Sequence, residues 1–155
     1  MVSPVIRAAA ALALALLGGL AIGGALAQEG ADAVLGKLRP QKLQDGQCGL
    51  FLWSRSREQP FVAVAYDQPA TARVQIDGGE RQLQRTAFDG EVIAGHFLNQ
   101  SFAEGRISVR IEMDPASIRE IQDGAIISRG ALRVSYRDGP ESVMPVGGMI
   151  ACKRA

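Results

Sequence analysis

Few residues in this chain carry side chains that could do chemistry. It holds one histidine, His96, and two cysteines, Cys48 and Cys152. The sequence has no Gly-x-Ser-x-Gly motif, and nothing beside the histidine suggests a base, an orienting acid or a metal partner. One histidine and two cysteines are too few for the four-ligand sites typical of structural zinc. We therefore predict no nucleophilic triad, no metal site and no cofactor.

His96 has a plainer structural explanation. If residues 91–97 form a strand, the histidine shares a face with Val92 and Ala94. We expect it to be packed or hydrogen-bonded at a sheet edge.

Acid–base chemistry by two carboxylates stays open at this stage. The chain has 16 aspartate and glutamate residues, and any two could meet in space as they do in glycoside hydrolases. Spacing along the chain nominates no particular pair. A hydrolase of cell-wall polymers is therefore an alternative hypothesis.

Two aromatic side chains are the first candidates for binding. Phe51 and Trp53 alternate with Leu50 and Leu52, so a strand here would place the aromatic pair on the face opposite Cys48. Left uncovered, that face would be a contact surface for a partner. The alternative is that a strand with two apolar faces is simply buried.

A set of arginines is the second candidate. Each alternates with apolar residues in a predicted strand and should face outward: Arg73, Arg106, Arg110, Arg133 and Arg137. On neighbouring strands their guanidinium groups would suit carboxylates or phosphates of an anionic envelope polymer. The alternative is a solvated face with acids such as Glu112 interspersed.

The third candidate is a turn near the end of the chain. Asp138-Gly139-Pro140, with the following residues 143–148, predicts either an arm that enters a partner's groove or an ordinary hairpin.

The charge balance argues against partners bound by bulk electrostatics. Lysine and arginine number 17 against 16 acids, a formal net charge of +1, and losing Arg7 with a signal peptide would bring it to zero. A neutral protein has no general attraction for nucleic acid or for an anionic membrane surface. We predict no nucleic-acid partner.

Residues 1–27 have the three parts of a secretory signal peptide. Arg7 gives the basic start, residues 8–22 carry no charge, and the small residues before Gln28 suit a cut between Ala27 and Gln28. An uncleaved anchor is the alternative, because a spanning helix needs about 20 apolar residues. Cleavage would leave a periplasmic or secreted chain with no membrane span.

The two cysteines fit that destination. In an oxidising compartment an isolated pair is expected to bond. Cys48 begins the first strong apolar run and Cys152 ends the last. A disulfide between them would tie the first strand of the domain to its last, whereas two separate buried thiols are the alternative.

From Cys48 onward the hydrophobic period is two, which predicts strands. Three runs alternate apolar and polar side chains: residues 71–77, 106–113 and 131–137. Two more runs, 48–53 and 60–66, are apolar on both faces and predict strands that are central or covered on their second side. Together they predict one all-β domain over residues 48–155, an antiparallel sandwich or small barrel of roughly seven to nine strands.

Residues 28–47 should form a leader to this domain. Asp32 could cap a short helix through Leu35 and Leu38, which Pro40 would end.

Two more local signals lie inside the domain. Asp114 and Pro115 predict a helix start, with a strand over 117–121 as the alternative. Gly147 and Gly148 predict a bulge or bend before the final strand.

Two short motifs carry a resemblance. Cys48-Gly49-Leu50-Phe51-Leu52-Trp53, together with Pro145-Val146-Gly147-Gly148-Met149-Ile150-Ala151-Cys152, resembles a pattern in uncharacterised small exported proteins of Gram-negative bacteria. This resemblance implies a periplasmic location and pairing of the two cysteines, and it carries no activity or catalytic residue. Small periplasmic inhibitors of lysozyme or proteases are similar in size, β content and disulfide use, which is an analogy of fold alone.

Our leading hypothesis is a non-catalytic periplasmic binding domain whose partner is an envelope protein or an anionic envelope polymer. The candidate contacts are Phe51, Trp53, Arg106, Arg110, Arg133 and Arg137. An inhibitor-like protein and a hydrolase with paired carboxylates are the alternatives. The sequence leaves the oligomeric state open.

Overall fold

The computed structural model describes residues 35–137 and 139–155. The predicted signal peptide, its cleavage site and the start of the leader lie outside these residues. The described chain forms ten β-strands, one 3₁₀ turn at Pro115–Ser117 and no α-helix. The strands are β1 (Leu35–Gly36), β2 (Cys48–Ser54), β3 (Phe61–Tyr66), β4 (Thr71–Ile76), β5 (Gly79–Ile93), β6 (His96–Glu104), β7 (Ile107–Met113), β8 (Ile118–Ile121), β9 (Gly124–Tyr136) and β10 (Glu141–Cys152).

Eight of these strands close into an antiparallel barrel. Around the ring the order is β4-β3-β2-β10-β9-β7-β6-β5, and pairing of β5 with β4 completes the circle. The short strand β1 pairs with β4, and β8 pairs with β9 beyond the point where β7 ends. The all-β antiparallel prediction is confirmed, and of its two architectures the barrel is the one that forms.

The alternation seen in the sequence fills the barrel interior. Every second side chain of a strand points inward, and the largest of these are fully buried: Phe102, Leu50, Leu83, Ile111 and Leu132. They belong to one continuous apolar cluster. The interior is a packed core, so the candidate binding surfaces lie on the outside of the barrel and at its ends.

A second, smaller apolar cluster lies on the outer face of β2 and β3. Its buried members are Leu38, Val64 and Tyr66, and Leu43, Phe51 and Phe61 pack against them. The segment 37–47 crosses this face, and its backbone is held by a hydrogen bond from Leu38 N to Phe61 O at 2.8 Å. Gly49 allows the close approach, because a Cβ there would lie 2.7 Å from Leu43 Cδ2. This covering segment explains why both strands are apolar on two faces, as the sequence indicated.

The disulfide between Cys48 and Cys152 forms as expected. The two residues lie directly opposite each other on β2 and β10, 104 positions apart in sequence. The bond therefore fastens the first barrel strand to the last. Disulfides are typical of oxidising compartments outside the cytoplasm.

The leader differs from its prediction where the structure describes it. Leu35 and Gly36 form a strand against Ile76 and Gln75, in place of the expected helical turn. A helix of a few residues is not stable alone, whereas the strand gains ladder bonds and buries Leu35 in the core.

The second predicted helix is also wrong beyond its first turn. Asp114 caps the 3₁₀ turn by accepting a hydrogen bond from Ala116 N at 2.9 Å. The chain is then extended from Ile118, as the alternative prediction had it, because β9 offers a free ladder once β7 ends at Met113. The expected bulge is confirmed by a register shift between Val146 and Gly148.

The β5–β6 hairpin extends beyond the barrel wall. β5 pairs with β4 only as far as Gln84, and β6 pairs with β7 only from Asn99 onward. We call the part between, residues 86–98, the arm. Its turn at Ala94-Gly95 has positive φ at both residues and lies against Asp67, since a Cβ on Gly95 would be 2.9 Å from Asp67 Cβ.

Candidate binding groove

An open apolar groove lies on the outer face of β2, β10 and β9. Its volume is about 400 Å³, and it is lined by Trp53, Ser54, Arg55, Gln59, Ile126, Gly147, Gly148 and Met149. Trp53 and Ile126 are half-buried, while Met149 is 37 % exposed. Three apolar side chains around a recess on a barrel surface are suited to hold an apolar side chain of a partner.

Strand register brings these residues together. Met149 pairs with Phe51 on one side and with Ile126 on the other, so one outward row crosses β2, β10 and β9. Trp53 lies opposite Gly147, which has no side chain to fill the space beside the indole. The glycine pair thus leaves the recess that Trp53, Met149 and Ile126 surround.

Gly148 is required by packing. A Cβ at this position would collide with the Phe51 carbonyl oxygen of the neighbouring strand. The bulge at Gly147 adds a local bend, and a Cβ there would lie 3.3 Å from both the Ile127 and Ser128 carbonyl oxygens. The floor of the groove is therefore backbone.

The margin of the groove is basic. Arg55 donates a hydrogen bond from Nη1 to the Ser128 carbonyl, which holds its guanidinium at the groove. Arg119 lies across the β8–β9 ladder from Ile126. Within residues 35–137 and 139–155 neither arginine forms an ion pair. Both cations can therefore meet carboxylates of an incoming segment.

Phe51 shares the outer face of β2 with Trp53 but belongs to the covered cluster. Its ring centroid lies 6.1 Å from that of Phe61, which in turn lies 5.2 Å from Trp53. The segment 37–47 packs over Phe51 and leaves Trp53 at the edge of the open groove. Both aromatic side chains are half-buried, Phe51 beneath the segment 37–47 and Trp53 at the edge of the groove.

The central arginines of the predicted set are engaged with carboxylates. Arg110 and Arg133 lie opposite each other on β7 and β9, and Glu112 pairs with both, at 3.0 Å and 2.9 Å. Arg133 also contacts Glu141 at 2.8 Å, and these hydrogen bonds raise its pKa. The network is a solvated surface in which the guanidinium charges already have partners.

Arg73 is likewise paired within its own sheet. Its Nη1 donates to Gln41 Oε1 at 2.9 Å and lies 3.6 Å from Glu80 Oε1. It is far along the ring from Arg110 and Arg133, because β4 and β7 are not neighbours.

Arg106 and Arg137 meet at the end of the barrel where four hairpin turns gather. Arg137 N donates to Arg106 O at 2.8 Å, and both line a cavity of about 590 Å³ with Arg81, Glu104 and Tyr136. Burial and the nearby Asp77 raise the pKa of Tyr136. The predicted arginine set therefore splits into separate groups, and Arg106 and Arg137 are the two members that share this cavity.

His96 is fully buried where the arm folds against the barrel. Neither ring nitrogen has a hydrogen-bond partner in the described residues. Burial lowers its pKa to about 4, and nearby Arg85 acts in the same direction, whereas the Asp67 charge acts against it. The imidazole is neutral and packed, as expected, although the turn at Ala94-Gly95 takes it off any strand shared with Val92.

Carboxylate pairing was the catalytic alternative, and one pair does share a cavity. Glu112 and Asp114 line a recess of about 290 Å³ together with Arg129. The Arg129 guanidinium, 2.8 Å from Asp114, holds the pKa of that carboxyl below its usual range. A general acid needs a raised pKa, so Asp114 is not suited to be the proton donor that glycoside hydrolysis requires.

The described residues contain no group of three or more histidine, cysteine or acidic side chains placed to hold a metal ion. No helix among them has the length and apolar character to cross a bilayer.

Comparison with known proteins adds no relative. The chain has no significant match to any protein-family model, to a curated protein or to a solved structure. What can be said of its class rests on its own structure: a disulfide-closed, eight-stranded antiparallel barrel with a packed interior and an open apolar groove on its outer face.

The sequence predicted one of the three apolar side chains of the groove. Trp53 was among the predicted binding residues, whereas Met149 and Ile126 were not. Gly147 and Gly148 were predicted only as a bulge or bend. The missing information was register, because only the pairing of β10 between β2 and β9 places these side chains beside the indole. The sequence signal for the rest of the groove is the presence of apolar residues, Met149 and Ile126, at outward positions of β10 and β9.

Proposed function

We propose that this protein is a non-catalytic binding domain of the periplasm, and that its partner is a protein that inserts an apolar side chain into the Trp53 groove. The observation that carries the proposal is the groove itself, an uncovered apolar recess beside the apolar surface around Phe51, which the segment 37–47 covers. Exposed apolar recesses of this kind mark interaction sites.

The charges at the groove define the partner further. Arg55 and Arg119 at its margin favour a segment in which carboxylates flank the apolar side chain. An anionic polymer is a weaker candidate, because Arg73, Arg110 and Arg133 are already paired with Glu80, Glu112 and Glu141. A protein partner suits both the apolar lining and the isolated cations.

Export supports the same proposal. The disulfide is typical of an oxidising compartment, and residues 1–27 have the pattern of a cleaved signal peptide. N-terminal sequencing of the protein purified from its host tests this part. A chain that begins at Gln28 is expected, and a chain that retains residues 1–27 would contradict cleavage.

The test of binding compares two exposed apolar positions. Met149→Glu places a carboxylate in the groove, whereas Ile121→Ser removes an exposed side chain of β8 that does not line it. Each full-length chain, with a C-terminal tag, is crosslinked in envelope extract and captured. We expect one dominant protein adduct with the native chain and with Ile121→Ser. With Met149→Glu the captured amount of that adduct should fall at least tenfold.

Equal recovery by all three chains would show that the groove is not the binding site. When the adduct is an enzyme, such as a lysozyme or a protease, its inhibition by the purified protein decides whether binding serves inhibition.

A further inference from the structure

The arm carries an exposed apolar patch of its own. Phe88 is 59 % exposed and Val92 is 51 % exposed, the highest values among the large apolar side chains described. The Phe88 ring lies 4.2 Å from that of Phe97, and Val92 lies across the β5–β6 ladder from Phe97. Phe97 thus joins the other two into one patch, which gives the arm a protruding apolar knob.

Unpaired carboxylates flank this knob. Asp89 and Glu91 lie between Phe88 and Val92 in sequence, and both are exposed. Neither forms an ion pair with any residue that the structure describes. The arm therefore has the chemistry that the groove requires: an apolar side chain beside carboxylates.

The cations near the arm are already engaged. The Arg85 guanidinium lies 5.3 Å from the Phe88 ring and 5.2 Å from the Phe97 ring. Arg110, which lines a small recess beside Phe88, is paired with Glu112 at 3.0 Å. Asp89 and Glu91 thus give the arm two carboxylates that form no ion pair in the described residues, opposite in sign to Arg55 and Arg119 at the groove, while Arg85 keeps its charge over the two rings.

A chain cannot place its own arm in its own groove. The groove lies on β2, β10 and β9, and the arm lies on β5 and β6. The turn of the arm lies against Asp67, beside Cys48 at one end of β2, whereas Trp53 and Arg55 place the groove at the other end of that strand. An arm that enters a groove must come from another molecule.

We infer that a second copy of this chain is a ligand of the groove, with its Phe88–Val92 knob against Trp53 and Met149 and its Asp89 and Glu91 beside Arg55 and Arg119. The inference rests on the proposed function, because it uses the same groove. Donor and acceptor are different surfaces, so the contact is head-to-tail, and a dimer still offers one free arm and one free groove. One knob in one groove is a small interface, which predicts weak, concentration-dependent association.

The test is a mixing experiment in which each variant lacks one surface. Phe88→Ser removes the knob and Met149→Glu blocks the groove, and both positions are exposed, so both proteins should fold. Sedimentation velocity on full-length native protein should show its average mass rise up to about 1 mM, the weak end for specific contacts. Each variant alone should stay a monomer, while an equimolar mixture should form a dimer and nothing larger.

A charge exchange gives the second measurement. Arg119→Glu alone should weaken the association about tenfold, and a chain that carries both Arg119→Glu and Glu91→Arg should restore it. Ile121→Ser, which alters neither surface, should associate as the native protein does.

Several results would overturn the inference: a native protein that is monomeric throughout, a monomeric mixture, or variants that still associate alone. If the chain does not self-associate but captures a foreign protein through the groove, this inference fails and the proposed function stands. A dimeric mixture with no such adduct would refute the foreign partner and keep the self-association.

Discussion

Phe51 and Trp53 stand two residues apart on the same outer face of β2, yet they lie in different surroundings. Over Phe51 the segment 37–47 packs with Leu38 and Leu43 and completes a small second core. The segment 37–47 does not extend over Trp53, whose indole contacts Phe61 on one side and borders a groove of about 400 Å³ on the other. The same pattern of alternating apolar residues therefore serves stability in one half of the strand and leaves a binding surface in the other.

The largest effect on stability is expected at the covered end of β2, where Cys48 is bonded to Cys152. In the chain-entropy model, a disulfide closing a loop of about 100 residues contributes about 4–5 kcal/mol. Reduction, or a Cys48→Ala/Cys152→Ala double variant, should lower the free energy of unfolding by about that amount. Urea unfolding of the two forms measures it, and equal midpoints would show that the bond constrains little.

At the same end of the barrel, His96 should make the unfolding free energy depend on pH. Its pKa is about 4 in the folded chain and near 6.5 when unfolded, so the unfolded chain binds more protons between these values. Stability should be full above pH 6.5 and should fall by about 3 kcal/mol as the pH drops toward 4. Melting curves across this range measure the loss.

The control for this prediction is His96→Leu. It removes the only histidine and two buried ring nitrogens that have no partner among the described residues. The variant should melt at the native temperature or higher at pH 7 and should lose most of the slope between pH 6.5 and 5. An unchanged slope would assign the acid sensitivity to carboxyl groups.

A single truncation, Leu38→Ala, tests whether the covered cluster of Leu38, Val64 and Tyr66 serves stability and not binding. Leu38 is 1 % exposed, and removing its side chain opens a cavity over Val64 and Tyr66. Leu38→Ala should cost about 3 kcal/mol of unfolding free energy and leave binding at the groove unchanged below the melting transition. Equal loss of binding and of stability would show that the two halves of the face act as one.

The smallest effect on stability is expected at the open groove. Met149 is 37 % exposed and lines the groove, so Met149→Ser should change the unfolding free energy by about 0.5 kcal/mol or less. It should nevertheless weaken partner binding severalfold, as measured by retention on the tagged protein. A large loss of stability would mean that Met149 belongs to the core.

The strands and the disulfide could be predicted because both leave local marks. Alternation at residues 106–113 and 131–137 reports which side chains face the core, and β7 and β9 form at these positions. The two cysteines at the ends of the apolar runs indicated their own pairing. These signals need no knowledge of which strand neighbours which.

The groove and the state of the arginines could not be predicted because they depend on register. Arg110, Arg133 and Glu112 become one network only when β7 pairs with β9 in the observed alignment. Nothing local to Phe51 or Trp53 says that residues from the leader cover one and not the other. The leader itself was expected to be helical, and its strand β1 forms because β4 offers a partner.

The most direct test of the central claim places one photo-crosslinking phenylalanine analogue at position 51 and, in a separate full-length chain, at position 53. After irradiation in intact envelopes, position 53 should give an adduct with another polypeptide, attached at an apolar residue flanked by carboxylates and lost when Met149→Glu is added. Position 51 should react only with residues 37–47 of its own chain. Intermolecular adducts at both positions, or at neither, would contradict the division of this face into a covered core and an open binding groove.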